Sequence, residues 1–339
     1  MNEKSSKVEV YSIGNPLIDV LAQASDREIA ELDMDKGTMM LIDCERGNFI
    51  LDRINEREKQ FDCGGSAPNT MITLAALGIR TILAGVVGND RLGDIYRERL
   101  NEKNVISDLV TCEGDTGTCI VLITPDHERT MNTRLGVCQK FGPQNVNHDK
   151  IKAADYLYFT GYMWDTESQK EALTAAIETA QKAGTKVVFD LADPFAVKRH
   201  HGDFLNLLTK SVDVLFANRE EARLLLGIDD PVKAAKELGT HGVIAAVKDC
   251  TDGSCISAGN SDHVSIDAYN VDAVDSTGAG DNYAAGFLYG LIKGYSLADS
   301  GKLASYVAAQ IVRKTGAQFD EQAVKEMRMA IKEGYWRQG

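Results

Sequence analysis

The chain has 339 residues, 44% hydrophobic and 26% charged, which suits one large domain with an appendage better than three domains. Its formal net charge of −13 argues against nucleic-acid and membrane-surface partners, because an acidic surface repels polyanions and anionic headgroups. No stretch approaches the ~18 uninterrupted apolar residues of a membrane span, and the polar N-terminus lacks a signal-peptide core, so a soluble cytoplasmic protein is expected. The 7 Cys contain no CxxC pair and read as reduced thiols used as small apolar side chains, and the 6 His show no paired metal spacing.

In chain order, residues 8–13 read as a first strand. Residues 17–22, 38–42 and 59–63 read as extended pieces without a full helix after each, and 67–77 as a helix. A strand at 81–87, a helix at 92–103 and an extended piece at 116–133 follow. The next elements are strand 156–160, helix 167–183, strands 186–191 and 212–217, and helices 219–226 and 232–238. A strand at 243–247 and helices at 279–292 and 297–313 close the chain. Val-, Ile-, Leu- and Phe-rich strands without strict alternation are buried on both faces, and strands that alternate with helices make a parallel α/β sheet. The early extended pieces suit a small separate sheet, a lid over the C-terminal edge of the main sheet, where open α/β sheets bind ligands. The expected organisation is one unit over 1–339, with a large α/β domain at about 7–15, 64–115 and 135–330 and a small β lid at about 16–63 and 116–134.

The sharpest chemical signal is Asp275-Ser276-Thr277-Gly278-Ala279-Gly280-Asp281, followed by an apolar helix. Glycines on either side of a small residue let a phosphate approach the backbone. The free N–H groups and the dipole of the first helical turn then favour its charge. An aspartate in that turn can accept a proton from an attacking hydroxyl while the N–H groups hold the transferring phosphoryl group. A plain Gly-rich turn with a capping Asp would share fragments of this string, but the full string is more specific than a cap.

Gly64-Gly65-Ser66-Ala67-Pro68-Asn69-Thr70 leads into another apolar helix; its paired glycines permit close backbone approach or a hinge, and Asn69 offers a donor and an acceptor to a sugar hydroxyl. Gly14-Asn15-Pro16-Leu17-Ile18-Asp19 ends the first strand, where Asp19 is either a vicinal-diol acceptor or a solvated turn residue. Asn218-Arg219-Glu220-Glu221 follows a strand and reads as a Mg²⁺ site, direct or through water, as a capping box, or as both. There is no GxxxxGK[ST], no HRD or DFG set and no GxGxxG after the first strand, which excludes P-loop and protein kinases and leaves a dinucleotide-dependent dehydrogenase weak.

The GG-x-x-x-N segment and the later DSTGAGD string resemble the ribokinase-like (pfkB) family of sugar and nucleoside kinases, from residue 14 to about 319. Within it the chain most resembles adenosine kinases, in residues 14–19, 190–195 and 308–316. The resemblance implies a three-layer α/β/α fold with a mainly parallel central sheet and a small β-sheet lid. It implies transfer of the γ-phosphate of ATP, with Mg²⁺, to the 5′-hydroxyl of adenosine or a related nucleoside in purine salvage. Asp281 would be the base, with Gly278, Ala279 and Gly280 as the anion hole. Asp19, Gly65 and Asn69, with Asn15 and Gly64 beside them, would bind the ribose. Asn218 and Glu221 would organise Mg²⁺, and Arg129 would reach the transferring phosphate from the lid. Asp275 and Thr277 match positions that bind a monovalent cation such as K⁺ in some relatives. Met39, Met131, Leu135 and Phe195 would contact the base; the alternative for each is plain core packing. Asn132 and Arg134 make segment 129–135 more polar than a stacking surface. Lys248 and Gly253 fall in the nucleotide-binding strand end, where Lys248 and Cys250 stand in place of the usual Thr and Gly. A sugar kinase acting on ribose, fructose or a polyol is the alternative. A non-catalytic binding or regulatory protein is the alternative of another class, disfavoured by the intact Asp281 and residues 278–280. The partners expected are a small-molecule acceptor and ATP, for a monomer or homodimer.

Overall fold

A computed structural model describes residues 7–126, 128–259 and 263–337. The expected unit of 1–339 and the lid segment 116–134 include residues 1–6, 127, 260–262 and 338–339, which lie outside the described residues.

The strands, in chain order, are β1 (Val10–Ile13), β2 (Leu17–Gln23), β3 (Met39–Leu41), β4 (Gln60–Gly64), β5 (Thr81–Gly88), β6 (Ile106–Cys112) and β7 (Gly117–Ile123). They continue as β8 (Arg129–Arg134), β9 (Tyr156–Thr160), β10 (Lys186–Asp190), β11 (Val214–Asn218), β12 (Ile244–Lys248), β13 (Ser254–Ala258) and β14 (Val264–Ile266). One sheet runs β14-β13-β12-β11-β10-β9-β1-β5-β6 and a smaller one runs β3-β8-β7-β2-β4. In the large sheet every pairing from β12 to β6 is parallel; β13 and β14 add an antiparallel edge.

The inner strands of the large sheet are buried on both faces, and their side chains divide by a period of two. Tyr11, Leu157, Phe159, Val187 and Phe189 join one apolar cluster, with Leu173 and Ile177 of helix Glu167–Ala183. Val10, Tyr158, Val188 and Phe216 join the opposite cluster, with Met71 and Leu74 of helix Ser66–Ala76 and Phe287 of helix Ala279–Ile292. The result is helix, sheet and helix in three layers.

The extended piece at 116–133 resolves into a hairpin, β7 antiparallel to β8. Between β2 and β4 the chain also forms helices Asp26–Glu31 and Cys44–Arg53, where only extended pieces were expected. The first opens on a capping box in which Ser25 and Glu28 satisfy each other's backbone N–H, a local signal that hydrophobic periodicity does not register. Strands β6, β13 and β14, and helices His148–Ala153, Pro194–Arg199, His201–Lys210 and Glu321–Glu333, were likewise absent from the sequence reading.

Parallel strands end together, so Asp190, Asn218 and Lys248 come to one edge of the large sheet. Helix Ala279–Ile292 begins at the same edge and packs on helix Leu297–Val312. The approach is close: a Cβ added at Gly286 would sit 2.8 Å from Ala304 Cα and 3.1 Å from the Leu303 carbonyl oxygen. Gly286→Val should therefore force the helices apart and cost about 1–3 kcal/mol. A lowered urea midpoint with an unchanged m-value would show it, and an unchanged midpoint would mean that the helices do not pack this closely.

Candidate active site

A cleft of about 1040 Å³ lies between that edge and the small sheet. Asp281 stands in the first turn of helix Ala279–Ile292. Its carboxylate accepts hydrogen bonds from Ser66 Oγ at 2.5 Å and Asn69 Nδ2 at 3.0 Å. Burial pushes its pKa up to about 7; the bonds from Ser66 and Asn69 and the nearby Lys248 oppose the rise, and Asp190 adds to it. Such a group is only partly ionised at neutral pH, and in its ionised form it is basic enough to take a hydroxyl proton.

Gly278, Ala279 and Gly280 line the cleft beside it. Gly278 has φ of 75°, and a Cβ there would lie 2.6 Å from that of Ala317, so conformation and space both demand glycine. A Cβ on Gly280 would stand 3.2 Å from Lys248 Nζ, inside the space a phosphate would enter. The Ala279 amide donates to the Ser276 carbonyl oxygen at 3.1 Å, whereas the Gly280 amide has no intrahelical acceptor and is left for an anion.

On the other side of the cleft Asp19 projects from β2, and no hydrogen-bond donor engages its carboxylate among the described residues. Burial pushes its pKa up to about 7, against the pull of Arg129 and with help from Asp62 and Asp281. Gly64 does not line the cleft, but a side chain there would overlap the Asp19 carboxylate. Gly65, at φ of 101°, does line it, and a Cβ on it would overlap the Asn15 carbonyl oxygen. Asn15 Oδ1 accepts from Gln169 Nε2 at 2.7 Å, which turns its NH₂ into the free end. Asn69 lines the cleft while holding Asp281, so one of its two N–H donors is already committed.

Met39, Met131 and Leu135 line the lid side, joined by Leu41 and Val121. The β8 side chains alternate: Arg129, Met131 and Thr133 face the cleft, whereas Asn132 and Arg134 turn away, Arg134 to Asn48 and Asp115. The polarity expected of segment 129–135 thus points out of the cleft. Phe195 lines the opposite rim, 65% exposed, with Lys198 Nζ 5.7 Å from its ring centroid.

At the edge of the large sheet, Lys248 Nζ lies 3.7 Å from Asp190 Oδ1. Burial disfavours the Lys248 ammonium, but Asp190, Glu221 and Asp281 outweigh it and its pKa rises. Gly253, with φ of 91°, and Cys250, a non-glycine with φ of 48°, flank the turn after β12, and both line the cleft. Asn218 and Glu221 form the capping box: the Glu221 carboxylate accepts from Asn218 N at 2.7 Å and Nδ2 at 2.8 Å, and Asn218 Oδ1 accepts from Glu221 N. Burial pushes Glu221 up to about 7, with Lys248 opposing. These are hard oxygens of the kind Mg²⁺ selects, and their commitment to the cap suits contact through the ion's waters. Among the described residues no group of three or more His, Cys, Asp and Glu is placed to hold a metal directly.

Thr277 lines the cleft, whereas Asp275 lies behind it, paired with Arg129 Nη1 at 2.5 Å. Three further residues of the site were not singled out from sequence. Ser66 lies within the glycine segment, and Asp190 closes a strand at the ligand-binding edge, so both carried a readable signal. Gln318, which donates to the Cys63 carbonyl and to Asn69 Oδ1 at 3.4 Å, carried none.

A buried carboxylate beside a glycine turn at a helix N-terminus is an arrangement able to move a phosphoryl group onto a hydroxyl. Comparison with known proteins agrees. The family model of the pfkB family carbohydrate kinase matches residues 37–323, and the chain belongs to this family. An uncharacterized sugar kinase of Archaeoglobus fulgidus is 29% identical over 245 residues, 72% of this chain and 96% of that protein. The structure of a probable sugar kinase protein from Rhizobium etli aligns with a TM-score of 0.87 and 33% identity, covering 97% of this chain and 99% of that one. The structure of adenosine kinase from Sinorhizobium meliloti aligns with a TM-score of 0.87 and 33% identity, covering 96% and 100%. The fold is ribokinase-like, and the protein is a sugar or nucleoside kinase, a phosphotransferase acting on hydroxyl groups. Kinases of this family use ATP and typically Mg²⁺. Among the described residues no helix is long and apolar enough to cross a membrane.

Asp281→Asn should lower kcat by roughly 10²–10⁴ with little change in nucleotide affinity, the pattern for a group acting in the transition state. A near-normal kcat with a lowered melting temperature would make the residue a cap only. The base must be ionised, so kcat should fall as pH drops through about 7. Ser66→Ala, which deletes a bond to the ionised form, should move that limb to higher pH, and a limb that stays in place would separate Ser66 from the base.

Proposed function

We propose that the protein is a nucleoside kinase that phosphorylates the 5′-hydroxyl of adenosine or a related nucleoside. The observation that carries this reading is the wall of Met39, Leu41, Val121, Met131 and Leu135 in the same cleft as the unengaged carboxylate of Asp19. A purine needs flat apolar walls next to a polar ribose site, whereas a bare sugar needs polar partners on every side. The name of the Sinorhizobium meliloti neighbour agrees with this acceptor.

In this reading Asp19 accepts hydrogen bonds from the ribose hydroxyls, and the Asn15 amide donates from beside it. Asp281, held by Ser66 and Asn69, removes the 5′-hydroxyl proton as that oxygen attacks phosphorus. The amides of Gly278 and Gly280 receive the negative charge of the transferring group, and Lys248 lies beside Gly280. Glu221 and Asn218 would hold Mg²⁺ through water, and when bound that ion supplies neutralisation of the phosphate charge.

A panel of adenosine, ribose and fructose tests the acceptor, by turnover and by thermal shift, since a ligand well above its Kd stabilises the folded state. Adenosine should be the substrate used. Efficient use of fructose or ribose without adenosine would replace this reading with a sugar kinase. Phe195→Ala should raise KM for adenosine roughly fivefold, the equivalent of about 1 kcal/mol of aromatic stacking, and leave any sugar turnover unchanged. Equal loss on both acceptors would place Phe195 outside the base site.

A further inference from the structure

Asp275 and Thr277 match positions that hold a monovalent cation in some relatives, but the surroundings of Asp275 do not fit one. Such a cation is coordinated by oxygen atoms that are free to turn their lone pairs toward it. The Asp275 carboxylate instead faces three donors: Arg129 Nη1 at 2.5 Å, the Gly316 amide at 2.8 Å and the Thr277 amide at 2.9 Å. Two neighbouring carbonyls are also committed. That of Val312 accepts from the amides of Val274 and Asp275, and that of Ala317 accepts from Asn282 Nδ2. The position is therefore furnished for an anion's partners, and it already contains a cation.

That cation comes from the lid. Arg129 lies on β8 of the small sheet, and Asp275 precedes the anion-hole turn of the large body, 146 residues away in sequence. The side chains of both are 7% exposed. Arg129 Nε is buried with no hydrogen-bond partner in a residue that lines the cleft, so part of the guanidinium remains for a ligand. We propose that Arg129 serves as the built-in counter-cation of the anion-hole loop, so that this kinase works without a bound monovalent cation. A bidentate-capable guanidinium is suited to this, because it is always charged and gives up its hydration more readily than an ammonium.

The test compares K⁺ with tetramethylammonium at equal ionic strength and reads both the melting temperature and the rate with MgATP and adenosine. The melting temperature needs no acceptor, so it decides the point even if the acceptor assignment fails. Wild-type protein should give the same values in both salts. Arg129→Gln leaves a buried carboxylate without its partner, which is strongly unfavourable, so K⁺ should raise its melting temperature by several degrees and its residual rate several-fold. Arg129→Lys retains a positive charge and should stay indifferent to K⁺. The double variant Arg129→Gln/Asp275→Asn removes both charges, so it should fold and show no response. A wild-type protein stabilised and activated by K⁺, an Arg129→Gln protein indifferent to it, or a double variant that still responds would each overturn the proposal.

Discussion

Asp19, Asp190, Glu221 and Asp281 surround one cleft, and burial is the first cause of the upward shift in each. Four acidic groups so close would repel a triphosphate as well as one another. The site tolerates them because three of the four have a local counterweight. Asp281 takes two hydrogen bonds from helix Ser66–Ala76, Glu221 two from Asn218, and Asp190 has Lys248 at 3.7 Å. Asp19 alone has no such bond among the described residues, and it is the one whose proposed partner is a ligand. An anionic donor enters such a cleft only at its positive places, which are the first turn of helix Ala279–Ile292, Lys248 and Arg129. The acidic walls thus restrict where phosphate can lie and keep the rest of the cleft for a neutral acceptor.

Much of the architecture was legible, and the parts that were not share a cause. Strands buried on both faces are apolar runs, and these could be read; so could the alternation that makes a parallel sheet. Strands β13 and β14 form an antiparallel edge, only partly buried at its outer strand, and lack such a run. The small helices at 26–31 and 44–53 bury only a residue or two each, which leaves little periodicity to detect. In the site, the string at 275–281 was legible because it combines several rare choices in one turn. The β8 segment was legible only in part: its composition looks polar until strand alternation is applied, and then Met131 faces the cleft and Asn132 does not.

The paired glycines at 64 and 65 show why a motif can be noticed without its reason. Sequence permits a hinge or a close approach. The structure supplies separate steric causes, since position 64 must leave room for the Asp19 carboxylate and position 65 takes φ of 101° against the Asn15 carbonyl. Each is a contact with a residue about fifty positions away in sequence, and no local pattern encodes it.

The strongest case of this kind is the short segment after helix Leu297–Val312. Gly316 donates to Asp275, Ala317 fills the space against Gly278 and accepts from Asn282, and Gln318 reaches the Cys63 carbonyl and Asn69. Three consecutive residues thus brace the cation position, the anion-hole turn and the strand end from which the lid departs. None of them is chemically reactive, and only Gln318 has a functional group. Yet Gly278 can hold its left-handed turn only where Ala317 lets it, and Asn69 meets Asp281 on one side and Gln318 on the other. The geometry of Asp281 is therefore set as much by this inert segment as by the residues around it. A reading that searches for reactive side chains passes over such a segment, because its contribution is shape and hydrogen bonds from the backbone.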